Sequence, residues 1–284
     1  MRSICPSSAP IVSARHIQAP SAPACYISGY MGLWKTLSYA RSLLITAPLI
    51  FLYTGVMGSI SVASSAIDAR GRMQQACARI WARLILWTSG ISVRLTGLDN
   101  IQPGTPYVLC LNHQSHMDTP IILATLPFQF RFTPKKELFR YPFLGWHLRR
   151  SGHVPIDREN PHAAVKSLRE AANVIRRGTS VVIFPEGGTS RDGSVKPFKR
   201  GGFMLAAESG AAVVPVTIRG SRRALVPKTY HVRSGAVEVI VGEPIASEGV
   251  STSELANRVR EEILMTFKYG KTLDRNSYSL SREV

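Results

Sequence analysis

Residues 42–67 carry no charged side chain. A run of that length limits what the chain can become, because about 20 apolar residues in a helix suffice to cross a bilayer. Its most apolar section is 43–53. Pro48, Gly55 and Gly58, with Ser59, Ser61, Ser64 and Ser65, complicate a straight span and leave a kinked or shallow helix as the competing form. Lys35 and Arg41 precede the run, and Arg70, Arg72, Arg79 and Arg83 follow it. This mild excess places the carboxyl-terminal flank on the cytoplasmic side. A second apolar stretch, 80–93, carries Trp81, Trp87 and Arg83 and suits a helix lying at the membrane interface. Two core helices of a soluble domain are the alternative; the charge-free run favours attachment to a membrane. Residues 1–30, rich in Ser, Pro and Ala, read as a disordered tail without a secretory signal. Met31 is an alternative start.

The formal charge of +17 calls for a polyanionic partner. Zinc-ligand spacing, an RNA-binding signature and a basic zipper region are all missing from the sequence, which disfavours nucleic acid and leaves anionic lipid or phosphorylated substrates. Cys5, Cys25, Cys77 and Cys110 lie far apart, form no metal set or disulfide framework, and fit a reducing compartment.

From about residue 92, short apolar runs alternate with helical patterns, the habit of an α/β domain. The expected strands are 107–111, 130–133, 153–156, 180–184, 213–218 and 236–241. The clearest helix follows Asn160: Asn160 can cap it, Pro161 suits its first position, and Val165, Leu168, Ala172 and Ile175 share a face, with Gly178 as the stop.

Polar clusters sit where these strands end. Asn112-His113-Gln114-Ser115-His116-Met117-Asp118 follows the first one. A histidine and an aspartate five positions apart can meet across the first helical turn, where the imidazole takes a proton and the carboxylate fixes its tautomer. The pattern alone is weak. The segment 152–158 ends in Arg158, which could fork onto a phosphate or simply be solvated. After the fourth strand come Phe184-Pro185-Glu186-Gly187-Gly188-Thr189-Ser190, where glycines permit close backbone approach and the Glu186 carboxylate needs a partner. Lys196, Lys199 and Arg200 form a basic hook, and Lys135 and Lys136 extend a basic rim. His16, His147, His153, His162 and His231 have no carboxylate at a comparable spacing; surface or core placement is expected for them. His116 suits capping or packing at least as well as the site.

In this order the blocks resemble the PlsC-like glycerolipid acyltransferase family over roughly residues 92 to 245. Asn112 to Asp118 looks like its NHxxxxD block, Ile156-Asp157-Arg158 like its second, Phe184-Pro185-Glu186-Gly187 like its third and Val214-Pro215-Val216 like part of its fourth. The resemblance implies an α/β domain, with a mixed central sheet flanked by helices, behind a membrane-embedded helical motif. It divides the chain into a tail (1–30), membrane-associated helices (31–91) and an acyltransferase domain (92–284). It implies a 1-acyl-sn-glycerol-3-phosphate O-acyltransferase of phospholipid biosynthesis, with its catalytic domain facing the cytoplasm. His113 would be the general base and Asp118 its orienting partner. The substrate oxygen would attack the thioester of acyl-CoA or acyl-carrier protein directly, without metal or bound cofactor. Arg158, Glu186 and Gly187 would hold the lysophospholipid acceptor. The family's third block usually continues Gly-Thr-Arg-Ser, whereas Thr189 occupies the arginine's place here. This departure leaves two readings: phosphate binding by Arg191, Lys199 or Lys135, or another lysolipid acceptor such as a lyso-ornithine lipid. A thioester hydrolase and a non-catalytic lipid-binding scaffold are the more distant alternatives.

Overall fold

The strands that set the architecture are those with unbroken apolar runs. The computed structural model describes residues 36–270 apart from Ala69 and Arg158, so the expected tail and the choice between Met1 and Met31 lie outside the described residues. Two compact units divide at Leu37, and the elements described below from Ser38 onward belong to the second.

An apolar helix, α1 (Ala47–Ser64), continues from a π-helical stretch at Ser42–Thr46. The whole helical run Thr36–Ser64 is long and apolar enough to cross a membrane, and only 11% of its most apolar window is buried within the protein. A helix α2 (Arg72–Ser89) follows, then β1 (Ile91–Thr96), β2 (Val108–Leu111), α3 (Asp118–Thr125) and β3 (Phe130–Phe132). The second half holds α4 (Leu144–Arg150), α5 (Pro161–Arg176), β4 (Ser180–Ile183), α6 (Gly201–Ser209) and β5 (Val213–Arg219). It ends with a single turn α7 (Ser221–Ala224), β6 (Gly235–Val241) and α8 (Thr252–Tyr269).

The six strands lie in the order β1-β6-β5-β2-β4-β3. All neighbours are parallel except β5 and β6, which makes the sheet mixed. Val108, Leu109, Cys110 and Leu111 are fully buried, as strands covered on both faces must be. One face is closed by α2 and α3 through Ala82, Ile85, Ile121 and Ile122. The other is closed by α5, α6 and α8 through Ala172, Phe203, Leu255 and Ile263. Each fully buried Leu, Ile or Phe contributes roughly 1.5–3 kcal/mol relative to exposure.

Two segments differ from the sequence expectation. Residues 80–93 are not one interfacial helix: Gly90, at φ +66°, ends α2, and β1 begins immediately after it. One side of α2 belongs to the core through Ala78, Ala82 and Ile85, while Ile80 and Trp87 remain exposed. Residues 153–156 form no regular strand. Pro155 has no N–H to give a ladder, and a single bridge joins Lys135 to Ile156. The buried His153 ring completes the edge, its Nδ1 accepting the Phe132 N–H at 2.9 Å.

Around Asn160 the local rules hold. Its side-chain oxygen accepts from the N–H groups of His162 and Ala163, and α5 starts at Pro161.

Candidate active site

Parallel neighbours β2 and β4 end at the same edge of the sheet, and the polar turns of both emerge there. The first turn supplies His113 and Asp118. Nδ1 of His113 lies 2.9 Å from Oδ2 of Asp118, at the start of α3. The same oxygen accepts the backbone N–H groups of Gln114 at 2.8 Å and Ser115 at 2.9 Å. Three donors converging on one fully buried oxygen fix the carboxylate's orientation. The His113 ring stacks on Phe184 with centroids 4.2 Å apart, which sets its plane. With Nδ1 directed at the carboxylate, the proton belongs there and Nε2 is left as the acceptor.

Two further ties hold the turn in place. Asn112 is fully buried; its Nδ2 donates to the Ile218 carbonyl at 2.9 Å and its Oδ1 accepts the Ile218 N–H at 2.7 Å. Glu186 accepts the His113 N–H on Oε1 at 2.7 Å and the Lys196 N–H on Oε2 at 3.1 Å. Burial raises this carboxyl above its ordinary range, with the two backbone donors working against the shift. The sequence reading puts Glu186 on the acceptor. The structure instead turns it inward, 5% exposed, with both oxygens engaged by backbone N–H groups.

The loop 187–196 is laced to the same turn. The Ser190 N–H donates to the His113 carbonyl at 2.8 Å, and Gln114 Nε2 donates to the Ser194 carbonyl at 3.2 Å. Lys196 Nζ reaches the Thr189 carbonyl at 2.7 Å. From α7, Arg222 donates to the carbonyls of Ser190 and Arg191. Inside the loop, Asp192 accepts from Ser194 and Ser190; these bonds, the Ser194 backbone N–H foremost, hold its carboxyl at about 2.

The remaining expected site residues divide. Gly187 sits at φ +73° beneath the Lys199 side chain, where an added Cβ would lie 2.8 Å from Lys199 Cε. Lys199 lines an open cleft of about 700 Å³, counted to its mouth in solvent, with Thr133, Ile156, Phe184 and Gly201. Lys135 is instead paired with Glu159 at 3.4 Å and Glu137 at 3.5 Å. Arg191 is exposed on the loop. Arg158 lies outside the described residues. The structure therefore gathers His113, Asp118, Glu186, Gly187 and Lys199, and engages Lys135 elsewhere. His116 stands at the rim; partial desolvation first, and the nearby His113 second, hold it below the ordinary histidine range.

A second, apolar pocket of about 570 Å³, counted to its open mouth, lies beside Thr119, the neighbour of Asp118 in α3. Met57 of α1, Trp81 of α2, Thr119 and Leu123 of α3, and Phe132 of β3 line it. Phe132, on the pocket's wall, is stacked on Phe184, and Phe184 on His113, so a row of rings links the pocket to His113. Among the described residues no three of His, Cys, Asp and Glu come together as metal ligands.

Sequence reasoning assigned no role to Asn112, Gln114 or Arg222. The first two lie within the block that it singled out, where their buried amides are part of the turn. Arg222 is more than 100 residues from His113 and carries no local signal; only the fold brings it to the loop.

Residues 92–219 match the acyltransferase family model. A 1-acyl-sn-glycerol-3-phosphate acyltransferase of Saccharomyces cerevisiae is 30% identical over 241 residues, covering 82% of this chain and 78% of the yeast protein. The chloroplastic enzyme LPAT1 of Arabidopsis thaliana is 33% identical over 196 residues, 68% of this chain. The match spans 54% of that plant protein, so the chain corresponds to about half the length of such relatives. The crystal structure of PlsC, the 1-acyl-sn-glycerophosphate acyltransferase of Thermotoga maritima, superposes with a TM-score of 0.69 at 25% identity, covering 84% of this chain and 96% of that one.

Proposed function

The chain belongs to the 1-acyl-sn-glycerol-3-phosphate acyltransferase family, and from that membership we propose that it transfers an acyl group from acyl-CoA or acyl-carrier protein to the sn-2 hydroxyl of lysophosphatidic acid. The observation that carries the proposal is the His113–Asp118 pair, with Nδ1 bound to the carboxylate and Nε2 left to receive a proton. The acceptor hydroxyl gives its proton to Nε2 as its oxygen attacks the thioester carbonyl. Asp118 stabilises the imidazolium that forms. The tetrahedral oxyanion collapses, the carbon–sulfur bond breaks, and the departing thiolate takes the proton back from His113. Backbone N–H groups of the loop beginning at Gly187 are the donors proposed for the oxyanion.

Lys199, on the cleft wall beside Gly187, is proposed to hold the acceptor's phosphate together with Arg158. Glu186 keeps the His113 backbone and the loop in register. The apolar pocket beside Phe132 takes an acyl chain, each buried CH₂ contributing about 0.8 kcal/mol. Residues 31–91 are proposed to attach the protein to the membrane, with the domain of 92–284 on the cytoplasmic side.

Thiol release from palmitoyl-CoA by purified protein in detergent tests the proposal. Release should require lysophosphatidic acid and be lost in His113→Ala. Release without an acceptor would identify a hydrolase. Release with a different lysolipid alone would move the acceptor assignment, which the Thr189 position already makes the most exposed part of the proposal.

A further inference from the structure

The segment 136–150 buries Phe139 and Leu148 in the core and carries an exposed aromatic cluster, of which Phe143 borders the apolar pocket while Tyr141 and Trp146 line neither pocket nor core. It leaves β3, makes a 3-10 turn at Lys136–Arg140 and enters α4. Tyr141 is 59% and Trp146 47% exposed, and Leu138 and Phe143 are also exposed. Phe143 stands at φ +57°, a left-handed conformation that a bulky residue adopts only under constraint. Its ring meets that of Trp146 edge to face, centroids 5.4 Å apart.

Two observations say what covers this patch. The first is continuity: Phe143 abuts Gly58 of α1 so closely that a Cβ on Gly58 would lie 2.9 Å from the Phe143 Cβ. Around Gly58, the helix exposes Val56 and Ile60. The cluster thus begins against the helix that, among the described residues, is long and apolar enough to cross a membrane. The second is charge: Arg140 and Arg150, both exposed, flank the aromatic residues on the two sides in sequence. Tryptophan and tyrosine favour the headgroup level of a bilayer, and arginines beside them favour anionic lipid.

We infer that residues 138–146 are a second, interfacial membrane contact, with Tyr141, Phe143 and Trp146 seated among the headgroups of an anionic bilayer and Arg140 and Arg150 on its phosphates. The inference rests on α1 being seated in the membrane. Two contacts, α1 and this segment, then fix the tilt of the α/β domain as well as its attachment. The apolar pocket, which Phe143 and Leu144 help to line, opens beside the second contact.

Bromine quenching tests it in the full chain. A variant retaining Trp146 alone (Trp34→Phe, Trp81→Phe, Trp87→Phe) is reconstituted into phosphatidylcholine vesicles, with or without phosphatidylglycerol, brominated at the upper acyl carbons. Trp146 should lose most of its emission to the brominated lipid and be shielded from aqueous iodide. Arg140→Gln with Arg150→Gln should weaken the quenching in vesicles containing phosphatidylglycerol and leave it unchanged in pure phosphatidylcholine. If the triple variant folds poorly, Trp146→Phe in the otherwise native chain gives the same contribution by difference. Emission that iodide quenches and brominated lipid does not would overturn the inference. Quenching that ignores both phosphatidylglycerol and the two arginines would overturn its anionic-lipid half. A chain retaining only Trp87 shows separately whether the membrane seat of the helical pair has failed, and none of these readouts depends on acyl transfer.

Discussion

Two histidine environments lie on either side of Phe132, and they do opposite things with the same ring. His113 is at the open edge of the sheet and gives Nδ1 to a buried carboxylate. His147 and His153 lie in a seam between α1, α4 and β3, with ring centroids 5.9 Å apart. They face each other and the Arg131 guanidinium; His147 is met by Ser61 and Ser151, and His153 accepts the Phe132 N–H. Burial is the main cause that pushes both below the ordinary histidine range, His147 to about 4 and His153 well below that range, with His147 adding to the shift of His153 and Arg131 to both. Where a carboxylate is supplied, the ring is equipped to exchange a proton; where a guanidinium is supplied instead, the ring is kept neutral and serves as a structural hydrogen-bonding group.

The largest effect that would break this contrast is at the dyad. His113→Ala should lower turnover by roughly 10²- to 10⁴-fold, the usual contribution of a positioned general base, and leave thermal unfolding nearly unchanged. His153→Leu should act mainly on stability: His153 borders the apolar pocket but does not touch the dyad, so turnover per folded molecule falls far less than in His113→Ala, while the unpaired Phe132 N–H costs about 1–3 kcal/mol of stability. Steady-state kinetics beside thermal unfolding of both variants checks the pair. If His153→Leu abolished turnover in folded protein, the division into a reacting and a structural histidine would be wrong.

Acid sharpens the comparison. Folding holds His147 at about 4, against 6.5 for an ordinary histidine. Between those values the unfolded chain carries the extra proton, so lowering the pH favours unfolding. The stability tied to a neutral His147 is complete above about pH 6.5 and falls by about 3 kcal/mol as the pH reaches 4. Unfolding midpoints measured from pH 7 to pH 4 should fall in the native protein, and fall less in His147→Gln. Equal slopes would remove His147 from the account.

Glu186 separates positioning from substrate contact. In Glu186→Gln one side-chain oxygen becomes an NH₂ group and can no longer accept one of the two backbone N–H groups. An unsatisfied buried donor costs about 1–3 kcal/mol, so kcat should fall roughly ten- to a hundredfold. The KM for lysophosphatidic acid should be nearly constant, because the side chain is turned away from solvent. A rise in KM at constant kcat would return Glu186 to the substrate, where the sequence motif placed it.

That case shows what was legible in the sequence. The α/β class was, because buried strands such as 108–111 and 181–183 are apolar throughout and are separated by helix signals as clear as Asn160-Pro161, while the mixed order of the sheet was implied only by the family resemblance. The meeting of His113 and Asp118 was legible from a spacing that spans one turn. The direction in which Glu186 points was not, since its partners are backbone groups of residues 113 and 196, and backbone donors leave no mark in a motif. Strand β1 was missed although Ile91, Val93 and Leu95 alternate with polar residues. The apolar residues of α2 and those of β1 are separated only by Thr88-Ser89-Gly90, so 80–93 reads as one apolar stretch, and the positive φ of Gly90 marks the boundary.

The smallest predicted effect tests whether the seam couples α1 to the domain. Ser61 of α1 is buried and its hydroxyl meets His147 Nδ1 at 2.6 Å, while Ser151 Oγ offers the same nitrogen a second contact at 3.2 Å. Because Ser151 can take over part of the role, Ser61→Ala should cost only about 1 kcal/mol, the net value of one hydrogen bond. The informative measurement is a double-mutant cycle with His147→Gln, read by thermal unfolding in detergent. Contacting side chains show coupling of about 0.5–3 kcal/mol, whereas independent ones simply add. Coupling would mean that α1 is held to the domain by a polar contact as well as by apolar packing, so that α1 and the β3 edge that carries Phe132 move together. Strict additivity would leave the seam as two separate solutions to burying a histidine, and α1 free to shift against α4 without disturbing Phe132.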